Sequence, residues 1–457
     1  MYQKYSQITF DLAAAVTAIV LTFPKRVLNR IQTNKIHQNN TTNKKVLFTS
    51  HTANFQKFNH PFMKWFKQQG YEVHYASMGE EPIKHADKSY KVSFNRSPYS
   101  LDNVRAYRPL KKIINDQRYE IIHTHTPMGS VVTRLSAKKA RKKYGTKVIY
   151  TAHGFHFFKG APLQNWLMFY PTEKLMARYT DTLITINEED YLLASKKFRT
   201  TTEYVPGVGV DSNKFGKALP KSKRTAIKHA IGLKANDRVI LYVAELSLRK
   251  RQLWLIESLK DLIQQDKSIH LMLTGMDSLN GQCEELAKEL KIQDNVHILG
   301  YRNDIPDLMA IADISVSTSS QEGLPVGIME SMFMGIPVIA TDCRGNRDLI
   351  QDGQNGYLVD LDDQTSFATK IQQLFNSTSD SNNLVKNGTT FIQQFSLKSI
   401  LEYMRSIYGL DAFQNNIATT VSPTKQPKTL NPVLSFYAEL PTKNTATTNR
   451  VRKPRGK

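Results

Sequence analysis

RVILYVAELSLRKRQLWLIESLKDLIQQDKSIHLMLTGM, residues 238–276, carries the pattern that decides the fold. RVILYVAEL is a short apolar run of the kind a buried strand needs. Leu253–Gln265 has helical spacing of its apolar positions, and SIHLMLTGM is apolar again. Strands alternating with helices mean a parallel sheet covered on both faces. To the right the grammar continues with a helix over Cys283–Leu290, the strand NVHILGY, a short helix over Pro306–Ala312 and the strand ISVSTS. A helix over Gly327–Met334 and the strands PVIATD and NGYLVD complete it. To the left it reads KKVLFTS, a helical stretch holding Phe58, Phe62, Trp65 and Phe66 closed by Gly70, then YEVHYAS, YEIIHTHT, a helix over Gly129–Tyr144, and KVIYTAHG. Helices over Thr172–Tyr179 and Glu188–Phe198 follow, with TLITI between them. Only PGVGVDSNKF, Pro206–Phe215, interrupts the pattern with Pro and Gly. The chain therefore reads as α/β, two doubly wound halves joined by a Pro/Gly linker. Ligands of such sheets bind outside the carboxyl ends of the strands, and two facing halves make a cleft.

The 457 residues allow two or three domains. Residues 1–43 form an arm and linker, 44–210 and 211–395 the two halves, 396–412 a helix closing the helical spacing of Phe391–Tyr408, and 413–457 a Thr/Lys/Pro-rich tail expected to be disordered. Two cysteines, Cys283 and Cys343, exclude a disulfide scaffold and point to a reducing compartment. The net charge is +22, and much of it sits at the ends: seven Lys/Arg against Asp11 in residues 1–45, and eight against Glu439 in residues 420–457. Basic ends beside an apolar patch fit an anionic membrane surface better than nucleic acid; solubilising tails are the plainer account. Leu12–Phe23 is apolar but short for a span, so it reads as an interfacial helix or a marginal anchor, or as a helix packed on the body of the protein. No uncharged apolar stretch is long enough for a multi-span membrane protein.

Chemistry concentrates in four places. In SSQEGLPVGIMESMFMG, Ser319–Gly335, a strand ends in small residues, a Glu322-Gly323-Leu324-Pro325 turn exposes amides at a helix start, and Glu330 follows eight residues after Glu322. Amides at a helix N-terminus suit a phosphate, and carboxylates suit vicinal hydroxyls. Arg249, Lys250 and Arg251 follow the strand RVILYVA, where fixed cations suit an anion bound in the cleft; a basic surface turn is the alternative. His153, in TAHGFH, ends a strand and points toward the cleft, while His156 beside it has a packing role as its alternative. His123 and His125 form an isolated pair lacking a third ligand, and Asp360-Leu-Asp362 lies away from the switch region, so no metal is expected at either.

The string E-G-L-P-x-G-I-x-E-S-M before G-I-P-V-I-A-T resembles the retaining nucleotide-sugar glycosyltransferases of family 4, with the two-domain GT-B fold. IIHTHTPMGSVVTRL, VIYTAHGFHFFKGAP and ILYVAELSLRKRQ resemble the branch that builds bacterial exopolysaccharide and capsule. The resemblance covers about residues 44–408. It implies that Glu330 binds the donor ribose, that Glu322 lies against the donor sugar, and that the amides of Gly323 and Leu324 approach the diphosphate or sugar, with Pro325 shaping their turn. It also implies that Lys250 holds the diphosphate, that His153 lies in the active site, and that Thr274, Gly275 and Arg302 line the donor pocket. The family's usual Arg, five residues before Lys250, is Glu245 here, and Arg249 is the candidate to replace it. The implied reaction moves a sugar from a UDP-sugar to a saccharide acceptor, lipid-linked and at the inner membrane face, with retention and without metal or other cofactor. Two rival functions remain: epimerisation of a UDP-N-acetyl sugar on the same fold, for which no acid/base cluster is visible, and a non-catalytic adaptor for membrane or polyanion. A dinucleotide fingerprint and a G-x-S-x-G elbow are both absent, which disfavours hydride transfer and serine hydrolysis.

Overall fold

The computed structural model of the chain describes residues 44–216 and 219–410. The expected membrane-facing arm, 1–43, and the expected disordered tail, 413–457, lie outside the described residues. The first half runs β1 Lys45–Thr52, α1 Gln56–Gln68, β2 Glu72–Met78, β3 Lys88–Lys91, α2 Leu101–Gln117, β4 Ile121–His125, α3 Pro127–Tyr144, β5 Lys147–Ala152, α4 Leu163–Met176, β6 Thr182–Thr185, α5 Glu188–Lys197 and β7 Thr201–Tyr204. The second half runs α6 Lys221–Ala230, β8 Arg238–Val243, α7 Gln252–Gln265, β9 Ile269–Thr274, α8 Gln282–Glu289, β10 Val296–Ile298, α9 Ile305–Ile311, β11 Ile314–Ser317, α10 Val326–Phe333, β12 Val338–Thr341 and β13 Tyr357–Val359. It ends in α11 Gln364–Asn376, α12 Thr378–Phe391 and α13 Leu397–Tyr408.

The alternation predicted two parallel sheets, and two are present. Their orders are β3-β2-β1-β4-β5-β6-β7 and β10-β9-β8-β11-β12-β13, with the paired strands parallel throughout. The inner strands β4 and β9 are buried from end to end, as strands covered by helices on both faces must be. Each sheet reverses its winding once, between β1 and β4 and between β8 and β11. The carboxyl ends of those strands are where the backbone opens a crevice. This topology places the segments after β4, β8 and β11 at the cleft.

Two helices differ from their sequence reading. The segment expected as a helix over Thr172–Tyr179 is one helix from Leu163, with Pro171 inside it, followed by a 3-10 turn over Ala177–Tyr179. Pro171 marks the helix interior rather than its start. The helical spacing over Phe391–Tyr408 covers a break: a 3-10 turn at Ile392–Phe395 and an extended Ser396, whose side chain caps α13 by accepting from Ser399 N. The break exists because Val210 of the linker uses the backbone there, donating to Phe395 O at 3.0 Å and accepting from Leu397 N at 2.8 Å. The two crossings between the halves thus run side by side. Gly209, at φ +80°, permits this, since a Cβ there would meet Leu397 Cα at 2.8 Å. Helix α13 then returns to the first half, where the Tyr408 hydroxyl meets His123 Nδ1 at 2.8 Å and Lys147 Nζ donates to Ile407 O at 2.6 Å.

A buried ion pair joins the halves. Arg344, after β12, donates to Asp190 of α5 at 2.9 Å and to Phe155 O at 3.1 Å, with both charged side chains almost solvent-free. Asp190 also accepts from Phe155 N and Asn187 Nδ2. Beside them Asp348 accepts from Glu188 N across the joint and from Gly345 N. Removing one member of such a pair strands a buried charge. Arg344→Met should therefore cost about 3–5 kcal/mol in urea unfolding. Arg347→Met, which breaks a half-exposed pair with Asp342, should cost under about 1 kcal/mol.

Candidate functional site

Two loops of the second half are stitched together before any ligand arrives. After β8 the chain turns through Ser247–Arg251, closed by Lys250 N donating to Ser247 O and by Arg251 in the left-handed region at φ +58°. After β11 it turns through Ser319–Pro325. Ser320 N donates to Arg249 O at 2.9 Å, and the Thr318 hydroxyl to Lys250 O at 2.8 Å. This register brings the Lys250 ammonium onto Glu322 Oε1 and the Arg249 guanidinium onto Gln321 O at 2.8 Å and Glu322 Oε2 at 3.3 Å. Ser319 Oγ donates to the same carboxylate at 2.5 Å and is itself held by the Tyr242 hydroxyl at 2.9 Å. Burial alone raises the pKa of Glu322, but the Lys250 and Arg249 charges outweigh it, so the carboxyl is held below its usual range and stays ionised.

Glu322 and Lys250 line a cavity of about 250 Å³, together with Tyr242, Leu324, Pro325 and Gly327. Among the described residues the amides of Gly323 and Leu324 find no protein acceptor. Glu330 sits further along α10, half-buried, its carboxylate without a hydrogen-bond partner among the described residues. Burial pushes its carboxyl up to about 7, against the pull of Lys214 and of Lys57, which belongs to α1 in the opposite half. Larger depressions of about 790 and 870 Å³ open at the amino ends of β5, β6 and β7, the wrong ends of the strands for a ligand of this fold.

The first half meets this assembly through backbone. A Cβ on Gly323 would lie 2.2 Å from His153 O, and one on Gly154 would lie 3.3 Å from Gly323 Cα, so both positions exclude side chains. His153 thereby stands beside the Glu322 turn. Its ring packs edge-on to Phe55 at 4.9 Å, and its Nε2 contacts His125 Nδ1 at 3.1 Å. The buried Nε2 of His125 has no partner. An unpaired lone pair is cheaper to bury than an unpaired N–H, so the His125 proton belongs on Nδ1, donated to His153 Nε2. His153 then carries its own proton on Nδ1, with no protein acceptor among the described residues. Burial drives the His153 pKa down to about 4, so at neutral pH the ring is an uncharged hydrogen-bond donor rather than an acid.

The other predicted residues fall as follows. Arg249, Lys250, Glu322, Gly323, Leu324 and Pro325 converge, with His153 against them. Thr274 is turned inward, its hydroxyl on Gly300 O, and Gly275 is required because a Cβ there would lie 1.9 Å from Ala244 O. Arg302 grips Asp304 through two hydrogen bonds and does not join the Lys250–Glu322 group. Glu245 is exposed and accepts from the Ser278 hydroxyl at 2.7 Å. His156 stacks on Phe169 at 4.6 Å. His123 uses both ring nitrogens, on the Tyr408 and Thr151 hydroxyls, and Asp362 is paired with Arg251. Among the described residues no group of three or more His, Cys, Asp or Glu is arranged to hold a metal. Sequence reading missed Arg344, Asp190 and the support that His125 gives His153; no spacing signal connects residues so far apart in the chain.

The model described as Glycosyl transferase 4-like matches residues 45–187, and that described as Glycosyl transferases group 1 matches residues 223–391. EpsD of Bacillus subtilis, named as a glycosyltransferase, is 41% identical over 370 residues, 80% of this chain and 96% of EpsD. The UDP-Gal:alpha-D-GlcNAc-diphosphoundecaprenol alpha-1,3-galactosyltransferase of Escherichia coli is 26% identical over 276 residues, 59% of this chain and 70% of that one. Among solved structures, Anabaena HepE in complex with UDP and glucose matches with a TM-score of 0.68 at 20% identity, covering 80% of this chain and all of HepE. WaaG, a glycosyltransferase involved in lipopolysaccharide biosynthesis, matches at 0.63 and 17%, covering 79% and 99%. With one family model on each half and EpsD matched almost end to end, the chain belongs to the group 1, 4-like glycosyltransferases and has their GT-B fold.

Proposed function

We propose that the chain transfers a glycosyl unit from a UDP-sugar to a lipid-linked saccharide in cell-surface polysaccharide synthesis, with retention and without a metal. One observation carries this reading: two cations and a buried ionised carboxylate meet at the carboxyl ends of the second sheet, with His153 brought against them from the first. The diphosphate lies between Lys250, Arg249 and the free amides of Gly323 and Leu324. Arg249 takes the place left by Glu245. Glu330 accepts from the ribose hydroxyls. Met276 and Tyr301, 63% and 66% exposed just beyond β9 and β10, offer an apolar surface for the base. The names of the galactosyltransferase, with its UDP-sugar donor and diphosphoundecaprenol acceptor, and of the UDP complex of HepE support the donor and acceptor classes.

As the glycosidic C–O bond breaks, negative charge grows on the diphosphate, and Lys250 and Arg249 stabilise it where a metal would serve in other enzymes. Glu322 and the Nδ1–H of His153 orient the sugar hydroxyls. The acceptor oxygen attacks from the face the diphosphate leaves, and its proton passes to a departing phosphate oxygen, which retains configuration without a protein nucleophile. The basic arm 1–43 holds the chain peripherally at the inner membrane face, with no span required.

Thermal unfolding with a panel of nucleotide sugars tests the donor. A UDP-sugar at a hundred times its Kd should stabilise the fold by about 2.7 kcal/mol. No shift with UDP or any UDP-sugar, or an epimerised donor formed without acceptor, would overturn the reading. Lys250→Ala should lower kcat by about 10²–10³-fold with the fold intact, as expected for losing transition-state charge stabilisation. Because the ribose hydroxyls need Glu330 ionised, donor KM should rise as pH falls through about 7. The rise should approach about tenfold per pH unit. Glu330→Gln should raise KM and flatten that profile. His125→Phe should reduce kcat by about tenfold, of the order of one lost positioning hydrogen bond. The same change should free the His153 tautomer, read from imidazole ¹⁵N shifts, and His125→Asn should restore part of both.

A further inference from the structure

Five large apolar side chains that stand in solvent come from one region of the first half. Tyr99, Leu101 and Val104 lie at the start of α2, and Leu163 and Leu167 lie on the first turns of α4, with Leu101, Leu163 and Leu167 at 69%, 72% and 69% exposure. The Tyr99 hydroxyl reaches Met168 Sδ at 2.9 Å, so the two segments adjoin. From Leu163 to Thr172, α4 carries no charge, yet none of those residues is fully buried; the helix buries only Glu173 and Met176. Its far end is pinned by the buried pair of Glu173 with Arg134 at 2.9 Å, so the apolar turns are held out on a fixed helix. Exposed apolar surface of this extent on a water-soluble face calls for a partner.

The charge order names that partner. Along the exposed side of α2, Leu101 and Val104 give way to Arg108, flanked by Arg105 and Lys112, which are each paired with a carboxylate of the same helix, Asp102 and Asp116; along α4, Leu163 and Leu167 give way to Lys174. Both helices begin at the carboxyl edge of the first sheet, so the apolar ends lie beside the cleft and the cations behind them. Arg96, exposed and just before Tyr99, is near enough to act electrostatically on His51 at the end of β1 and on His156 after β5. An anionic bilayer has the same gradient in depth, hydrocarbon first and phosphate above it.

We propose that the start of α2 and the start of α4 form a membrane-docking face, with Leu101, Leu163 and Leu167 entering the acyl boundary and Arg108 and Lys174 behind them on lipid phosphates. The inference rests on the lipid-linked-acceptor reading above and deepens it: docking there places the cleft mouth at the bilayer, where such an acceptor's reactive sugar emerges. A protein partner would have no need of the same apolar-to-basic order on two separate helices.

The test uses the full chain with an environment-sensitive fluorophore on Leu167→Cys, and on Leu192→Cys of α5 as a control; both native cysteines are buried. With anionic vesicles free of acceptor, the probe at 167 should shift to the blue and be quenched by acyl-chain quenchers, while the probe at 192 stays in water. A probe at 167 that remains in water while the chain sediments with vesicles would overturn the proposal. So would one already shielded without vesicles, which would mean that the arm or a second copy covers the face. Leu101→Ser/Leu163→Ser/Leu167→Ser should raise KM for a bilayer-embedded acceptor by at least about tenfold, the scale of burying even one of the three leucines, and leave donor hydrolysis unchanged. Loss of donor hydrolysis in the unsubstituted chain would count against the enzymatic reading alone, since the probe shift needs no turnover.

Discussion

Arg344 and Asp190 meet between the halves with almost no water around them, and the cleft depends on that meeting. The same guanidinium donates from Nε to Glu322 O at 3.3 Å, and Glu322 N donates back to Arg344 O at 3.2 Å. The residue that fixes the joint therefore also holds the backbone of the residue expected to grip the sugar. Because Gly323 and Gly154 carry no side chain, the strut can pull the two loops into backbone contact. Separating the halves would return both charges to water, so the pair fixes the geometry in which the halves meet rather than how strongly they are held.

The electrostatics within the cleft follow from unequal surroundings. Glu322 and Glu330 are eight residues apart and chemically identical. Glu322 lies under two cations and a serine hydroxyl and is held ionised; Glu330 has burial acting on it with only distant lysines, and its pKa is pushed up to about 7. Such divergence between neighbouring carboxyls is how one site assigns them different tasks. The histidines are uncharged for a third reason, common burial, which for His125 is reinforced by the two imidazoles beside it. What they contribute is direction: a chain of nitrogens that settles which face of His153 is a donor.

The legible part of the site was the part made of consecutive residues. The Glu322–Pro325 turn and the Arg249–Arg251 run each sit on one loop, and their chemistry is visible in the string. Arg302, expected from the resemblance to line the donor pocket, is paired with Asp304, two residues away, a contact set by the tertiary fold of that loop. His125 was weighed only as a metal ligand, because its real neighbour, His153, is 28 residues away, just past the next strand. The helix from Leu163 was read short since Pro171 looks like a helix start, and the break at Ser396 was invisible because its cause is a linker nearly two hundred residues earlier.

By itself the sequence determined the two parallel sheets, the linker between them and the identity of the grouped cations and carboxylates, since apolar periodicity and local turn chemistry act over a few residues. Only the tertiary structure decided which of those groups face one another, which charges are already spent on neighbours, how far Glu330 is pushed from its ordinary ionisation, and which apolar side chains of α2 and α4 stay uncovered. Each of those depends on distances through space between segments far apart in the chain, and on the water excluded between them, which no spacing along the chain records.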